Sequence, residues 1–226
     1  MSLDALRAFD TPTVSNAIDS LGLRPAAEGY TYPPVHAVTA PSAPVVGYAV
    51  TAAIRTVAPF ADADEQRAAM LPLYPAVASV NGPKIVVVQD LDHADGLDSV
   101  GCLWGEVNVT LCQAMGAVGV VTDGLVRDVP DVEALGFHYV ARGIGVARGN
   151  TRVVSTLEPV AVGGLTVTTG DVIHADRHGA VLVPADLVDD VLAAAERINA
   201  SEARLLEWAR SPEFHADEIA ARRNRR

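Results

Sequence analysis

Three side chains of the sequence have the types and spacing to do chemistry together: Glu106, Arg127 and Asp128. Glu106 opens a helix that runs to about Met115. A β-branched strand follows, Val118 to Thr122, bounded by Gly116 and Gly124. Asp123, Arg127 and Asp128 are expected in the turn beyond its carboxyl end, where α/β folds open a crevice for ligands. Residues 107–126 separate Glu106 from Arg127. A helix followed by a strand brings the chain back to the edge it left, so this spacing becomes proximity. Two carboxylates facing one guanidinium can hold a hard divalent cation beside an anionic substrate group. The same charges can also tie a turn together as a structural salt-bridge cluster. The residues alone leave both readings open.

Rival sites are weaker. Gly143-Ile144-Gly145-Val146-Ala147-Arg148-Gly149 tempts a dinucleotide reading, but Arg148 stands where the third glycine belongs. A glycine-rich surface turn is the better expectation. No GKS, GKT or GxSxG occurs. Cys112 falls among apolar helix positions and reads as a packed thiol, whereas Cys102 sits in the loop before Glu106 and is free to be exposed. Lys84 is the only lysine, at the amino end of a strand and away from the crevice, which argues against a Schiff base. His174, Asp176 and His178 alternate as strand residues do and could converge on a metal. Arg177-His178-Gly179 reads instead as a hairpin turn that splays them.

The elements that must carry the central stretch follow from periodicity. Thr11-Pro12-Thr13 starts a helix that passes Leu21 and stops at Gly22. Residues 24–44, rich in Pro, Ala and Gly, are expected to wrap the surface as loop. Val45 to Val57 is β-rich. Asp62 to Val80 suits a helix broken around Pro72 and Pro75. Lys84 to Val88 is a buried strand delivering Gln89 and Asp90 to its carboxyl end. His138 to Arg142 is another strand, and 158–183 alternates β runs with turns. One long helix, residues 186–209, follows with Asp186 as N-cap. Strands and helices interleave without a linker, so residues 1–226 are read as a single α/β domain.

Composition narrows the function classes. A net charge of −11 and a pI near 4.8 argue against a nucleic-acid groove. Arg222, Arg223, Arg225 and Arg226 form the one basic cluster, read as a solvated or frayed end. Two cysteines cannot build a disulfide framework or a four-thiolate zinc site. No apolar signal core opens the chain, and no run reaches the ~20 apolar residues of a membrane span. The expectation is a soluble, cytoplasmic protein without a nucleic-acid or membrane partner.

The motifs Trp104-Gly105-Glu106-Val107, Gly119-Val120-Val121-Thr122-Asp123-Gly124-Leu125-Val126-Arg127-Asp128 and Leu135-Gly136-Phe137 carry a resemblance. So do Thr13-Val14-Ser15-Asn16-Ala17, Val46-Gly47-Tyr48-Ala49-Val50-Thr51 and the stretch from Gly170-Asp171 to His178-Gly179. They resemble the family of the regulator of ribonuclease activity A and the 4-hydroxy-4-methyl-2-oxoglutarate aldolases, whose members have also been labelled dimethylmenaquinone methyltransferase-like. The resemblance spans about residues 10–205, and the acidic-x20-Arg-Asp pattern is its most specific part. It implies a compact α/β/β/α sandwich, swivelling-domain-like, assembled as homotrimers or homohexamers, with the helix 186–209 packing at a subunit interface. It implies that Asp128 binds Mg²⁺ or Mn²⁺ and that Glu106 acts on the metal through water, at a position often held by Asp. Arg127 would grip a 2-oxo acid, and backbone N–H groups of Gly101, Cys102, Leu103, Trp104 and Gly105 would hold its carboxylate. A glutamate from a neighbouring subunit would complete the site, Glu202 first and Glu207 second. The activity implied is a metal-dependent (class II) aldolase or oxaloacetate decarboxylase working through pyruvate enolate. The alternative is a non-enzymatic regulator that binds a ribonuclease or helicase. No glycine-rich cofactor loop supports a methyltransferase.

Overall fold

Residues 3–223 are described by the computed structural model. After a 3-10 turn at Leu3–Ala8, α1 (Thr11–Ser20) begins as its sequence suggests: the Asp10 carboxylate accepts the Thr13 N–H at 2.9 Å, and Pro12 stands in the first turn. Then come β1 (His36–Ala37), β2 (Val45–Arg55), α2 (Ala63–Ala68), α3 (Leu73–Ser79), β3 (Lys84–Asp90) and α4 (Leu91–Ala94). The central stretch holds β4 (Cys102–Trp104), α5 (Glu106–Ala114), β5 (Ala117–Val126), α6 (Val129–Ala134) and β6 (His138–Ile144). β7 (Arg152–Thr156), β8 (Val160–Val162), β9 (Leu165–Val167), β10 (Val172–Asp176) and β11 (Gly179–Val183) precede α7 (Val188–Ala209) and α8 (Ile219–Arg223).

The main sheet runs β1-β6-β5-β3-β2-β10-β11, with β4 added to β5 and β7 to β2. β2, β3, β5 and β6 pair in parallel, so each step needs a crossover, and α3, α5 and α6 lie on these crossovers. Alternation along each strand sorts the core. Ala49, Ile85, Val87, Val121, Val140 and Ile173 point to an inner cluster that the β8–β9 hairpin fills with Val160, Val162, Leu165 and Val167. Val50, Ile54, Val86, Val88 and Val120 point outward against Leu73, Val109 and Val132 of α3, α5 and α6. Val46, Val172 and Val183 face α1 and α7 through Val14, Ile18, Val188 and Val191. The layers thus run helix, sheet, sheet, helix. The fold is mixed α/β with a nearly closed, barrel-like sheet. Across the closure, His138 Nε2–H donates to the Asp176 carbonyl at 3.0 Å, while its Nδ1 accepts from Thr39 Oγ1–H. Burial pushes the His138 pKa down to about 4, so the ring stays neutral.

Several expectations need correction. β5 extends to Val126, so Asp123 lies inside the strand and is buried, not in the turn. Pro75 does not break its helix. It occupies the first turn of α3, where its missing N–H would have had no helical partner; the break falls before Leu73. The loop 24–44 contains β1. Asp186 caps nothing: it sits in a 3-10 turn, and α7 starts at Val188 without a side-chain cap. The basic end is partly docked, because Arg222 lies 4.4 Å above the Trp208 ring and pairs with Glu218. Arg225 and Arg226 lie outside the described residues. No helix among the described residues is long and apolar enough to cross a membrane.

Candidate functional site

Register brings the proposed residues together. Trp104 pairs with Val126, and the Arg127 N–H donates to the Trp104 carbonyl at 3.0 Å. The Arg127–Asp128 turn therefore lies against Gly105–Glu106. Asp128 adopts left-handed backbone (φ 56°, ψ 38°), a conformation that only Asn, Asp and Gly enter at small cost. Asp128 is the N-cap residue of α6, but its side chain makes no cap bond to that helix. The turn aims the carboxylate at α5, where Oδ2 accepts the Glu106 N–H at 3.1 Å. Arg127 Nε stands 3.7 Å from the same oxygen. Gly105 is required by this approach rather than by its own φ: a Cβ there would lie 2.4 Å from Asp128 Oδ2 and 3.0 Å from Arg127 Nε.

The pair is not buried. Side-chain exposure is 39% for Arg127 and 36% for Asp128, and Glu106 is exposed. Arg127 borders a cleft of about 320 Å³, shared with Gly105, Val107 and Asn108 from the start of α5. Tyr74 and Arg148 close its other sides. Tyr74 O–H donates to Asn108 Oδ1 at 2.9 Å, and Asn108 Nδ2 donates to the Leu103 carbonyl at 2.6 Å, which fixes this wall. The cleft thus presents two guanidiniums and a helix amino end, an arrangement suited to an anionic ligand, with the Asp128 carboxylate beside Arg127. Among the described residues no group of three or more His, Cys, Asp or Glu is arranged to hold a metal ion. Asp128 and Glu106 are the donors that could do so here. Two carboxylates with open positions suit Mg²⁺, which keeps several waters, and the space left by Gly105 accommodates the Asp128 carboxylate.

Other expected residues fall out differently. Cys102 is not exposed; it is buried in β4, burial raises its thiol pKa, and its N–H is taken by the Ala147 carbonyl at 2.9 Å. The Gly101–Gly105 segment is therefore part strand, with the Cys102 N–H already engaged. Leu103 and Trp104 are buried beside it. Gly101 is closely packed, because Gly149 (φ 61°) comes so near that a Cβ on it would lie 2.9 Å from Gly101 Cα. The glycine-rich turn at 143–149 is thus a packing device against the site loop. Glu202 lies in a groove between α1 and α7, in the opposite helical layer from α5, so one chain does not bring it to Arg127. Glu207 is exposed further along the same helix.

Sequence reasoning missed Tyr74, Asn108 and Arg148. The only signal at Arg148 was negative, as the residue that spoiled a glycine motif. Elsewhere, Lys84 is buried and donates to the carbonyls of Gly82 (2.9 Å) and Met115 (2.5 Å), closing the carboxyl end of α5. His174 is a core residue: its Nε2–H donates to the Leu6 and Phe9 carbonyls and its Nδ1 accepts from Thr11. A larger cavity, about 440 Å³, opens at the amino ends of the strands. Its charged lining is the ion-paired Asp4 and Arg7.

A sequence model of the family described as RraA-like, Aldolase/RraA, matches residues 11–182. A putative 4-hydroxy-4-methyl-2-oxoglutarate aldolase of Halalkalibacterium halodurans is 26% identical over 106 residues, covering 46% of this chain and 50% of that protein. The chain spans about half or less of the length of the curated relatives it matches. Among solved structures, RraAS2 of Streptomyces coelicolor, described as an unusual member of the RNase ES inhibitor RraA protein family, is similar with a TM-score of 0.69. It is 25% identical, with 91% of this chain and 96% of that one covered. An uncharacterised Pseudomonas syringae protein shares the fold, with a TM-score of 0.74, 24% identity, and 99% and 93% coverage.

Proposed function

This chain belongs to the RraA-like (Aldolase/RraA) family, and on that premise we propose that it is a divalent-metal-dependent lyase acting on 2-oxo acids. The supporting observation is the left-handed turn at Asp128, which aims a half-exposed carboxylate at the α5 amino end beside Arg127. A purely structural charge cluster has no need of that backbone conformation or of the adjoining cleft.

In this reading Asp128 and Glu106 hold Mg²⁺ or Mn²⁺, and the cation supplies a Lewis acid for the charge that develops on the 2-oxo oxygen. Arg127 binds the substrate carboxylate next to the first turn of α5, whose orphan N–H groups favour an anion. Arg148, across the cleft, is placed to meet a second carboxylate. The C–C bond breaks with its electron pair left on the pyruvate fragment as an enolate. In an aldol substrate the neighbouring hydroxyl gives up its proton as the new carbonyl forms, and the enolate carbon is protonated to give pyruvate. With oxaloacetate, CO₂ leaves instead. Glu106, exposed at the start of α5, is the group available to relay the proton. Glu202 of a neighbouring copy, or Glu207, would complete the site in a homotrimer or homohexamer, with α7 at the interface. The buried free thiols of Cys102 and Cys112 suit a reducing, cytoplasmic setting.

The test is pyruvate release from oxaloacetate and 4-hydroxy-4-methyl-2-oxoglutarate, with and without Mg²⁺ or Mn²⁺. Metal-dependent turnover is expected. No turnover on a broad 2-oxo acid panel would sink the lyase. The Streptomyces relative gives the second reading its support; ribonuclease inhibition by a chain that turns over none of these acids would establish it.

A further inference from the structure

Two hydrogen bonds fix which way one wall of the cleft is polarised. The Leu103 carbonyl can only accept, so the Asn108 atom 2.6 Å from it is the amide nitrogen. The other end of that amide is then an oxygen, which also only accepts. The Tyr74 hydroxyl, 2.9 Å from Oδ1, must therefore spend its proton there. What Tyr74 Oη has left is lone pairs, and among the described residues no donor is bound to them.

The rest of the lining is of the opposite kind. Arg127 and Arg148 carry donors only, and Asn108 has both ends of its amide engaged. Among the described lining side chains, Tyr74 Oη is thus the oxygen left open, in a cleft of donors. Burial, with Cys112 adding to it and Arg148 acting against it, raises the Tyr74 pKa, so the phenol keeps its proton. The carboxylates and the keto group of a 2-oxo acid are all acceptors and give this oxygen nothing. A hydroxyl on the carbon chain gives it a donor.

We propose that Tyr74 selects hydroxylated 2-oxo acids: its Oη accepts the substrate O–H while Asn108 holds the phenol proton. An aldol substrate is then favoured over keto oxaloacetate, which has no such hydroxyl. Because its own proton is committed to Asn108, Tyr74 orients the substrate hydroxyl and leaves removal of that proton to another group. The inference rests on the reading of this cleft as the 2-oxo acid site, and needs no bound metal.

The test is calorimetric titration in EDTA with glutarate and with each enantiomer of 2-hydroxyglutarate, which carries the hydroxyl, lacks the keto group and is not cleaved. Wild type should bind one enantiomer about 3–10-fold more tightly than glutarate, the worth of one neutral hydrogen bond. In Tyr74→Phe that ratio should fall to about one, because the acceptor is gone. The ratio of kcat/KM for 4-hydroxy-4-methyl-2-oxoglutarate to that for oxaloacetate should fall with it. A variant that keeps the binding ratio overturns the proposal, and a lowered unfolding midpoint beside it makes the hydroxyl a tie between α3 and α5. Should the variant fail to fold, wild type decides: tighter binding of one enantiomer supports the proposal and equal affinities overturn it. A hydroxyl preference without turnover of any 2-oxo acid defeats only the lyase. Wild type that binds none of these acids defeats the cleft as the acid site and this inference with it.

Discussion

Two pairs of acids stand at the carboxyl edge of the same sheet, and they have opposite fates. Asp90 and Asp123 are buried and consumed by the fold. Asp123 Oδ1 accepts the Asp90 N–H at 2.6 Å, Asp90 Oδ1 caps α4 by accepting the Asp92 N–H at 3.0 Å, and Ser99 donates to Asp90 Oδ2. Glu106 and Asp128 remain partly in solvent beside two arginines of a cleft. What separates the pairs is how much of each carboxylate the fold has already claimed. Burial first, with the Asp90 charge adding to it and the Asp90 N–H acting against it, raises the Asp123 pKa to about 7, the kind of perturbation that often marks active sites. Its contacts nevertheless lead into the strand and loop, so the more open pair is the better functional candidate.

The sharpest break of this comparison is Asp128→Ala, together with Arg127→Ala. Each should lower pyruvate release by about 10²–10³-fold, as the loss of one transition-state charge partner does, with circular dichroism and the unfolding midpoint little changed. A variant that unfolds would move Asp128 into the structural class with Asp90. Next comes Gly105→Ala, which drives a Cβ into the Asp128 carboxylate. Activity should fall about a hundredfold, the scale expected when a charged group in a site is displaced by about an ångström.

The buried pair answers to pH instead. A raised folded pKa means that Asp123 contributes stability below pH 4 and loses it as pH rises through about 7. His138, lowered to about 4, acts in the opposite sense and loses stability as pH falls from 6.5. In wild type the two slopes oppose each other between pH 4 and 6.5. Asp123→Asn keeps the acceptor for the Asp90 N–H and removes one slope. Urea titrations should then show stability rising by about 2 kcal/mol across that window, and a profile as flat as wild type would refute the assignment. Smallest is Arg148→Ala. It should raise KM for substrates with a second carboxylate about tenfold and leave kcat nearly unchanged, the signature of uniform binding.

Legibility differed between these regions. Glu106, Arg127 and Asp128 could be found because a helix and a strand of ordinary length separate them, and such a unit returns to its starting edge. β3 and the core of β5 were readable as β-branched runs. The role of Asp123 was not, because a strand's last residues carry no periodic mark: Gly124 looked like an end, yet pairing with β4 and β6 continues to Val126. The burial of Cys102 was hidden for a similar reason. β4 has three residues, too few for a pattern, and exists because β5 offers it an edge. Arg148 reaches the cleft from a loop held against Gly101 by packing, which spacing along the chain does not encode.

By itself the sequence determined the alternation of elements, the acidic surface and the three charged side chains that share one crossover, because local periodicity and short-range connectivity set these. The tertiary structure decided which acids stay open. It folded the sheet until His138 met Asp176, buried Asp123, turned Asp128 through left-handed backbone onto α5, brought Tyr74 and Arg148 to the same cleft, and left Glu202 on the far layer. Those outcomes depend on long-range packing and on which polar groups the interior had already claimed.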